Sequence, residues 1–155
     1  MTYDEYLYNF SGITIAEIDD NASYVYKSCK DQNKQGVYFR VDILFKGKYS
    51  FHIDNTPRRA IRKDKEHLYY YPITSLKLKR IDEDTNVTMP MIQSNGRSLY
   101  QSWELEPGVY VAWAKIDFDE SLEKKFDVNL GIYGEYFSLI DKAKVKEITE
   151  FNKMS

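Results

Sequence analysis

The 155 residues include 43% hydrophobic and 15% aromatic residues, which is enough apolar material for one folded domain and too much for a disordered chain. The formal net charge of −2 argues against a nucleic-acid partner. The single cysteine, Cys29, excludes an internal disulfide and any zinc site that needs two or more thiolates.

The first eleven residues are expected to form an appendage to the domain. Tyr3, Tyr6, Leu7 and Phe10 recur at helical spacing, while two acidic residues interrupt them. Neither this stretch nor any later one has the apolar run of a signal peptide or of a membrane span. We therefore expect a cytoplasmic location.

Short strands are predicted through the first half of the chain. Apolar and polar side chains alternate in Gly12–Ile18, in Ala22–Lys30 and most clearly in Gly36–Lys46. A turn at Gly47 leads into a further alternating run that ends at Asp54. We expect the last two runs to form a β-hairpin with one buried face.

The second half of the chain continues the pattern. The stretch His67–Arg80 predicts a strand with Leu76 and Leu78 facing the core, and with Lys77 and Lys79 facing outward. Four more strands, separated by turn signals at Asn95-Gly96 and Pro107-Gly108, are Asn86–Ile92, Ser98–Leu105, Val109–Asp117 and Phe126–Ile132.

This organisation predicts an all-β fold, an antiparallel β-sandwich of about eight to nine strands over residues 12–137. No long helical pattern separates the strands, which argues against a parallel sheet with crossover helices. From Ser138 onward the sequence SLIDKAKVKEITEF has helical spacing, and Ser138 with Asp141 resembles a capping box. We therefore expect a short C-terminal helix within residues 138–155.

No motif in the sequence predicts catalysis or a cofactor. Cys29 lies in a strand pattern and not at a helix start, where a thiolate would be stabilised. The seven glycines occur singly, so no phosphate-binding loop is present. We expect a protein that is not an enzyme, with no catalytic residue and no cofactor.

Two acidic loops, Asp82–Asn86 and Asp117–Glu120, are candidate calcium sites because carboxylates in a loop can bind this ion. Neither has the spacing of an EF-hand loop. If consecutive strands alternate in direction, the two loops lie at opposite ends of the sandwich and cannot share an ion. We therefore predict no metal site.

The same alternation brings a basic loop and an acidic loop to one end of the sandwich. We predict that they form an internal clamp of ion pairs. Its basic residues are Arg58, Arg59, Arg62 and Lys63. Its acidic residues are Asp117, Asp119, Glu120 and Glu123.

Two stretches resemble the calpain family. KYSFHIDNTPRRAIR is similar to the strand and Arg-rich loop of the β-sandwich that follows the protease domain in calpains. WELEPGVYVAWAKIDFDESLEKKFDVNLGIYGE is similar to a later part of that module, with Leu105, Pro107, Gly108 and Tyr110 in its turn. The resemblance covers Gly36 to Glu135, and the region before Gly36 looks most like calpain-like proteins of ciliates or other protists.

The resemblance implies an antiparallel sandwich of about eight strands, in which a basic and an acidic loop face one another. It also implies a module that transmits calcium or lipid signals and contacts neighbouring domains. The papain-like domain of calpains carries Cys, His and Asn motifs, and this sequence shows none of them, so protease activity is not expected.

We expect a non-catalytic interaction or scaffold module of a larger assembly, with the cytoskeleton or the ciliary axoneme as the family's suggested setting. The partners would be proteins, with tubulin and calpain-like chains as candidates, and neither a nucleic acid nor a membrane is expected. A calcium- and phospholipid-responsive membrane-binding sandwich, and a regulatory subunit of a calpain-like protease, remain alternatives. The motivating residues are surface tyrosines, since tyrosine is enriched at interfaces: Tyr24, Tyr26, Tyr69, Tyr70, Tyr71 and Tyr100.

Overall fold

The computed structural model describes residues 20–31, 33–55, 63–64, 70–82, 87–118, 127–140 and 143–153. Within these ranges the chain forms an all-β sandwich of nine strands in two sheets, followed by one short helix. The fold class predicted from the alternating pattern is thus confirmed. The predicted strand Gly12–Ile18 and the N-terminal appendage lie outside the described residues.

The nine strands divide into a four-stranded sheet of order β1-β8-β3-β6 and a five-stranded sheet of order β5-β4-β7-β2-β9. The strand bounds are β1 Ser23–Lys30, β2 Val37–Ile43, β3 Gly47–Asp54, β4 Thr74–Arg80, β5 Ile92–Ser94, β6 Ser98–Leu105, β7 Gly108–Ile116, β8 Asp127–Gly134 and β9 Phe137–Ile140, and the helix α1 is Val145–Lys153. Every strand pair is antiparallel.

Almost every connection between these strands crosses from one sheet to the other. Among the nine described strands, only β4 and β5 are consecutive members of the same sheet. The predicted hairpin of β2 and β3 is therefore wrong, because β2 pairs with β7 and β9 while β3 pairs with β6 and β8. Alternation shows which face of a strand is buried, but it does not show which strand lies beside it.

The core lies between the two sheets. The strands β2 and β3, which the sequence predicts as a hairpin, contribute to it from opposite sheets. Leu76 and Leu78 of β4 are fully buried, as predicted. Each such side chain contributes about 1.5–3 kcal/mol through removal from water. The alternating side chains of β2 and β3 that face the core are Val37, Phe39, Val41, Ile43, Tyr49, Phe51 and Ile53.

Helix α1 begins later than the sequence predicts. Ser138 lies in β9, which adds an edge strand to β2, and Asp141 lies outside the described residues. The helix is capped instead by Glu147, whose carboxylate accepts a hydrogen bond of 2.6 Å from the backbone N–H of Lys144. This is the glutamate half of a capping box.

Helix α1 packs on the outer face of the five-stranded sheet. Lys77 and Lys79 both point away from the core, as predicted, but Lys79 is only 1% exposed. Its ammonium donates a hydrogen bond of 2.6 Å to the carbonyl of Phe151 in the helix. The outward face of β4 is thus a helix contact and not a solvated surface.

Candidate interaction surface

The outer face of the four-stranded sheet carries four tyrosines in two rows, which follow from the register of the strands. The first row, read from β1 across β8 and β3 to β6, is Tyr26, Gly131, His52 and Tyr100. The second row is Tyr24, Tyr133, Ser50 and Ser102. We call these eight residues the tyrosine face.

Gly131 shapes the middle of the tyrosine face because it has no side chain. A methyl group at this position would overlap the His52 imidazole and the Tyr24 hydroxyl. The gap lets His52 lean across β8 and stack on Tyr24, with ring centroids 5.4 Å apart and an interplanar angle of 11°. Tyr24 Oη lies 3.0 Å from His52 Nε2, which is hydrogen-bonding distance.

A hydroxyl cluster lies beside this stacked pair. Tyr100 Oη donates to Ser50 Oγ at 2.9 Å, and Ser50 Oγ and Ser102 Oγ are 2.7 Å apart. Ser102 Oγ also donates to Tyr100 Oη at 3.2 Å. The three hydroxyls hold one another in place, so the Tyr100 ring is fixed at its polar tip.

The tyrosine face carries little charge. Partial burial and, secondarily, the nearby carboxylate of Asp54 raise the pKa of Tyr24, which keeps its hydroxyl neutral. Asp54 Oδ2 lies 3.6 Å from His52 Nε2, while its Oδ1 accepts a hydrogen bond of 2.6 Å from Ser98. The carboxylate therefore sits at the border of the face with its own polar partners.

Three of the four tyrosines are largely exposed. Tyr24 and Tyr26 each expose 52% of their surface, and Tyr100 exposes 63%. Tyrosine combines a rigid aromatic area with a polar tip at a low cost in conformational entropy, and serine and glycine add adaptable hydrogen bonding or close backbone approach. Tyrosine is enriched at protein interfaces in general, and its combination with serine and glycine is typical of antibody paratopes.

A second exposed apolar cluster lies at one end of the sandwich, where β2 leads into β3 and β8 into β9. We call Leu44, Phe45 and Tyr136 the aromatic tip, since each is more than half exposed. The Phe45 and Tyr136 rings meet edge to face at 4.8 Å. Tyr136 has a φ of 48°, a left-handed conformation that is costly for a bulky residue.

The structure places the ends of the two predicted clamp loops together. Asn55, just after β3, donates 2.9 Å to the Thr74 hydroxyl at the start of β4. The backbone N–H of Asp117, just after β7, donates 3.0 Å to the carbonyl of Ile73. Both loops therefore leave from the same end of the sandwich, as strand alternation predicts.

The clamp itself stays a prediction. Of its residues, only Lys63 and Asp117 are described, and both are exposed. Asp117 Oδ1 lies 2.8 Å from the ammonium of Lys115, its neighbour on β7. The remaining clamp residues, which lie outside the described residues, are Arg58, Arg59, Arg62, Asp119, Glu120 and Glu123.

The acidic loops considered for calcium begin at opposite ends of the sandwich, as predicted, because Asp82 follows β4 and Asp117 follows its antiparallel neighbour β7. Arg80 Nε donates 2.7 Å to Asp82 Oδ1. Burial raises the pKa of Asp82, but hydrogen bonds from Arg80 and from the backbone outweigh it, and the net pKa is lowered. In the described part of the chain, no three His, Cys, Asp or Glu side chains are grouped to hold a metal.

A cavity of about 210 Å³ lies next to the aromatic tip, with Phe45, Lys46, Tyr49 and Gly134 in its lining. Pockets for small molecules are usually about 300–1,000 Å³ and enclose most of the ligand. This cavity is therefore too small to be a typical binding site for a small molecule.

In the ranges that the structure describes, no helix is long and apolar enough to cross a bilayer.

The sequence identified most of the tyrosines but not their arrangement. Tyr24, Tyr26, Tyr70 and Tyr100 are exposed as expected, Tyr71 is half-buried, and Tyr69 lies outside the described residues. The period of two placed Tyr24 and Tyr26 on one face, but only the strand register shows that Tyr100 shares it. The stacking of His52 on Tyr24 was missed, because it depends on a glycine in a third strand.

Comparison with known proteins adds no family to this picture, since neither the protein-family models nor the curated proteins gave a match.

Proposed function

We propose that this chain is a non-catalytic protein-interaction module and that the tyrosine face is its recognition surface. The observation that carries the proposal is that Tyr24, Tyr26 and Tyr100 are all exposed on one face, where the Tyr100 hydroxyl is held in a network with two serines. An exposed aromatic group with preset hydrogen-bond partners needs little ordering when it binds, which favours affinity.

The chemistry of the face fits a protein better than a nucleic acid. Stacking platforms for single strands are accompanied by basic side chains that track the phosphates, whereas the members of both rows other than tyrosine are two serines, a glycine and a histidine. The eight residues of the face also include no carboxylate, lysine or arginine, which suits a protein surface of weakly charged groups. A partner with neutral polar and aromatic side chains is the best complement.

The resemblance to the calpain sandwich supports a place in a larger assembly. We propose that the chain is related to that module and acts in a cytoplasmic complex of the cytoskeleton or the ciliary axoneme, with tubulin or a calpain-like chain as partner. The same resemblance suggests regulation of a calpain-like protease as a narrower form of this role. The support for these assignments is family analogy, which is weaker than the support from the face itself.

Proximity labelling in the cell of origin tests the proposal. Wild type is compared with the double variant Y26S/Y100S and with Y70S, which removes a still more exposed tyrosine outside the face. A partner set that the double variant loses and Y70S keeps supports the proposal. If both variants label the same proteins as wild type, the tyrosine face is not the recognition surface.

A second candidate, membrane binding, is favoured by the aromatic tip. Leu44, Phe45 and Tyr136 are exposed together, and aromatic residues concentrate at the membrane–water interface. Flotation with vesicles of anionic and neutral lipids, with and without calcium, tests it. Binding that F45S abolishes would establish this role, whereas wild-type chain that fails to float with any vesicle would exclude it.

A further inference from the structure

Helix α1 is held at both of its ends by basic side chains of the sheet beneath it. At its first turn, Arg40 Nη1 donates 2.5 Å to a Glu147 carboxylate oxygen, while the other oxygen of Glu147 caps the helix. At its last turn, the Lys79 ammonium donates to the carbonyl of Phe151. A cation near the C-terminal carbonyls is favourable because they carry the negative end of the helix dipole.

One aromatic side chain provides the apolar contact of the helix. Phe151 is 5% exposed, and its ring meets Tyr38 edge to face with centroids 5.5 Å apart. The Lys79 ammonium lies 4.6 Å from the centre of the same ring, and that of Lys77 lies 6.0 Å from it. We call Tyr38, Arg40, Lys77 and Lys79 the helix seat.

The helix seat is specific in its chemistry. It offers a guanidinium to a carboxylate of the helix. It also offers an aromatic ring and a cation to the ring of the residue four positions later in that helix. Hydrogen bonding to Asp42 has the largest effect on the pKa of Arg40 and raises it. Burial lowers this pKa, but the hydrogen bond to Glu147 raises it again, so that the net pKa is raised. Burial, followed by the charge of Lys77, lowers the pKa of Lys79. The buried ammonium is thus costly to maintain without a helix carbonyl above it.

The resident helix is short and buries few of its own side chains. It spans nine residues, and only Glu147 and Phe151 are buried. Helices shorter than about 12–15 residues are marginal in water by themselves. An element with so few buried side chains belongs to the part of a fold that opens most readily.

We propose that the helix seat is a second docking site, on the opposite side of the sandwich from the tyrosine face, and that it takes an amphipathic helix of a partner protein in place of α1. The partner helix would carry a carboxylate and, four residues later, a phenylalanine or tyrosine, as Glu147 and Phe151 do in α1. Binding of an amphipathic helix through such spaced anchors is a common mode of protein recognition. In this arrangement α1 is a strap that a stronger helix displaces.

A labelled peptide of residues 143–153, AKVKEITEFNK, tests the proposal by fluorescence anisotropy against the full chain. In the wild-type chain α1 occupies the seat, so the apparent affinity for the peptide is the intrinsic affinity multiplied by the small fraction of molecules in which the seat is open. The chain variant F151A removes the resident ring but leaves the seat intact. We expect it to bind the peptide at least about tenfold more tightly than wild type does.

Two controls make the outcome specific to the seat. A peptide carrying F151A should not bind the F151A chain. The double chain variant F151A/K79M should lose the tighter binding of the wild-type peptide that F151A alone shows. If the F151A chain does not fold, the chain variant E147Q serves instead, and its affinity for the peptide should exceed that of wild type by about threefold. Equal binding to wild-type and variant chains, or equal binding of the two peptides, would overturn the proposal.

Discussion

The two outer faces of this sandwich differ in charge and in what covers them. On the four-stranded sheet, Tyr24, Tyr26 and Tyr100 are exposed, and the Tyr100 hydroxyl bonds to the neutral hydroxyl of Ser50. On the five-stranded sheet, the basic residues Arg40 and Lys79 lie beneath α1. The same alternating pattern thus gives an outward lysine, Lys79, that is buried, and three outward tyrosines that are exposed. Outward in a strand therefore does not mean solvated.

The largest effect is expected from removing the apolar contact of the covered face. F151A should lower the free energy of unfolding by about 2–3 kcal/mol, which is less than the 3–5 kcal/mol of a Phe in a closed core. The difference arises because α1 can detach without leaving a cavity in the sandwich. Urea unfolding measures the change, and V145A, at an 81% exposed position of the same helix, should stay within about 0.5 kcal/mol.

A smaller effect is expected on the exposed face when its central glycine is replaced. G131A should displace His52 from Tyr24 and lower the free energy of unfolding by about 1 kcal/mol, the typical contribution of an aromatic pair. Thermal unfolding, together with the ring resonances of Tyr24 and His52, measures it. Unchanged ring contacts in G131A would show that Gly131 does not shape the tyrosine face.

The ion pair of the covered face should contribute still less to the free energy of unfolding. E147Q keeps an oxygen to cap α1 but removes the charge that Arg40 meets, so we expect a loss of about 0.5–1 kcal/mol that shrinks as salt is added. E150Q is the matched control, because the i,i+3 ion pair of Glu150 with Lys153 is exposed. An equal response of the two variants would mean that the Arg40 pair has no special role.

The smallest effect on stability is expected at the edge of the tyrosine face. Y26S should change the free energy of unfolding by no more than about 0.5 kcal/mol, because Tyr26 is half exposed on the edge strand β1. Circular dichroism during thermal unfolding measures this. A loss of several kcal/mol would show that Tyr26 supports the fold and is not kept for recognition.

The sequence predicted the strands far better than their neighbours. Period-two alternation identified β2 and β3 and the side chains that they bury, such as Phe39 and Phe51. It could not assign them to opposite sheets, because a buried face forms equally well against a facing sheet as within a hairpin. The same limit explains why Ser138 was assigned to the helix, since nothing local shows that β2 has a free edge to pair with.

The candidate sites depend on contacts between residues distant in sequence, so the sequence predicted only their ingredients. The number of tyrosines in the sequence predicts that some of them are exposed. That they lie on one face follows only from the register of four strands. The burial of Lys79 needed the position of α1, which is more than 60 residues later in the chain. The loop clamp rests on strand direction, which the structure confirms, and on charged residues outside the described ranges.

The most direct test of the tyrosine face as a recognition surface is site-specific photocrosslinking in the cell of origin. A benzophenone amino acid replaces Tyr26 in one variant and Tyr70 in another, since both positions are exposed but only the first lies on the face. A discrete adduct with one protein at position 26, and none at position 70, is the predicted result. The same adducts at both positions, or none at position 26, would contradict the account.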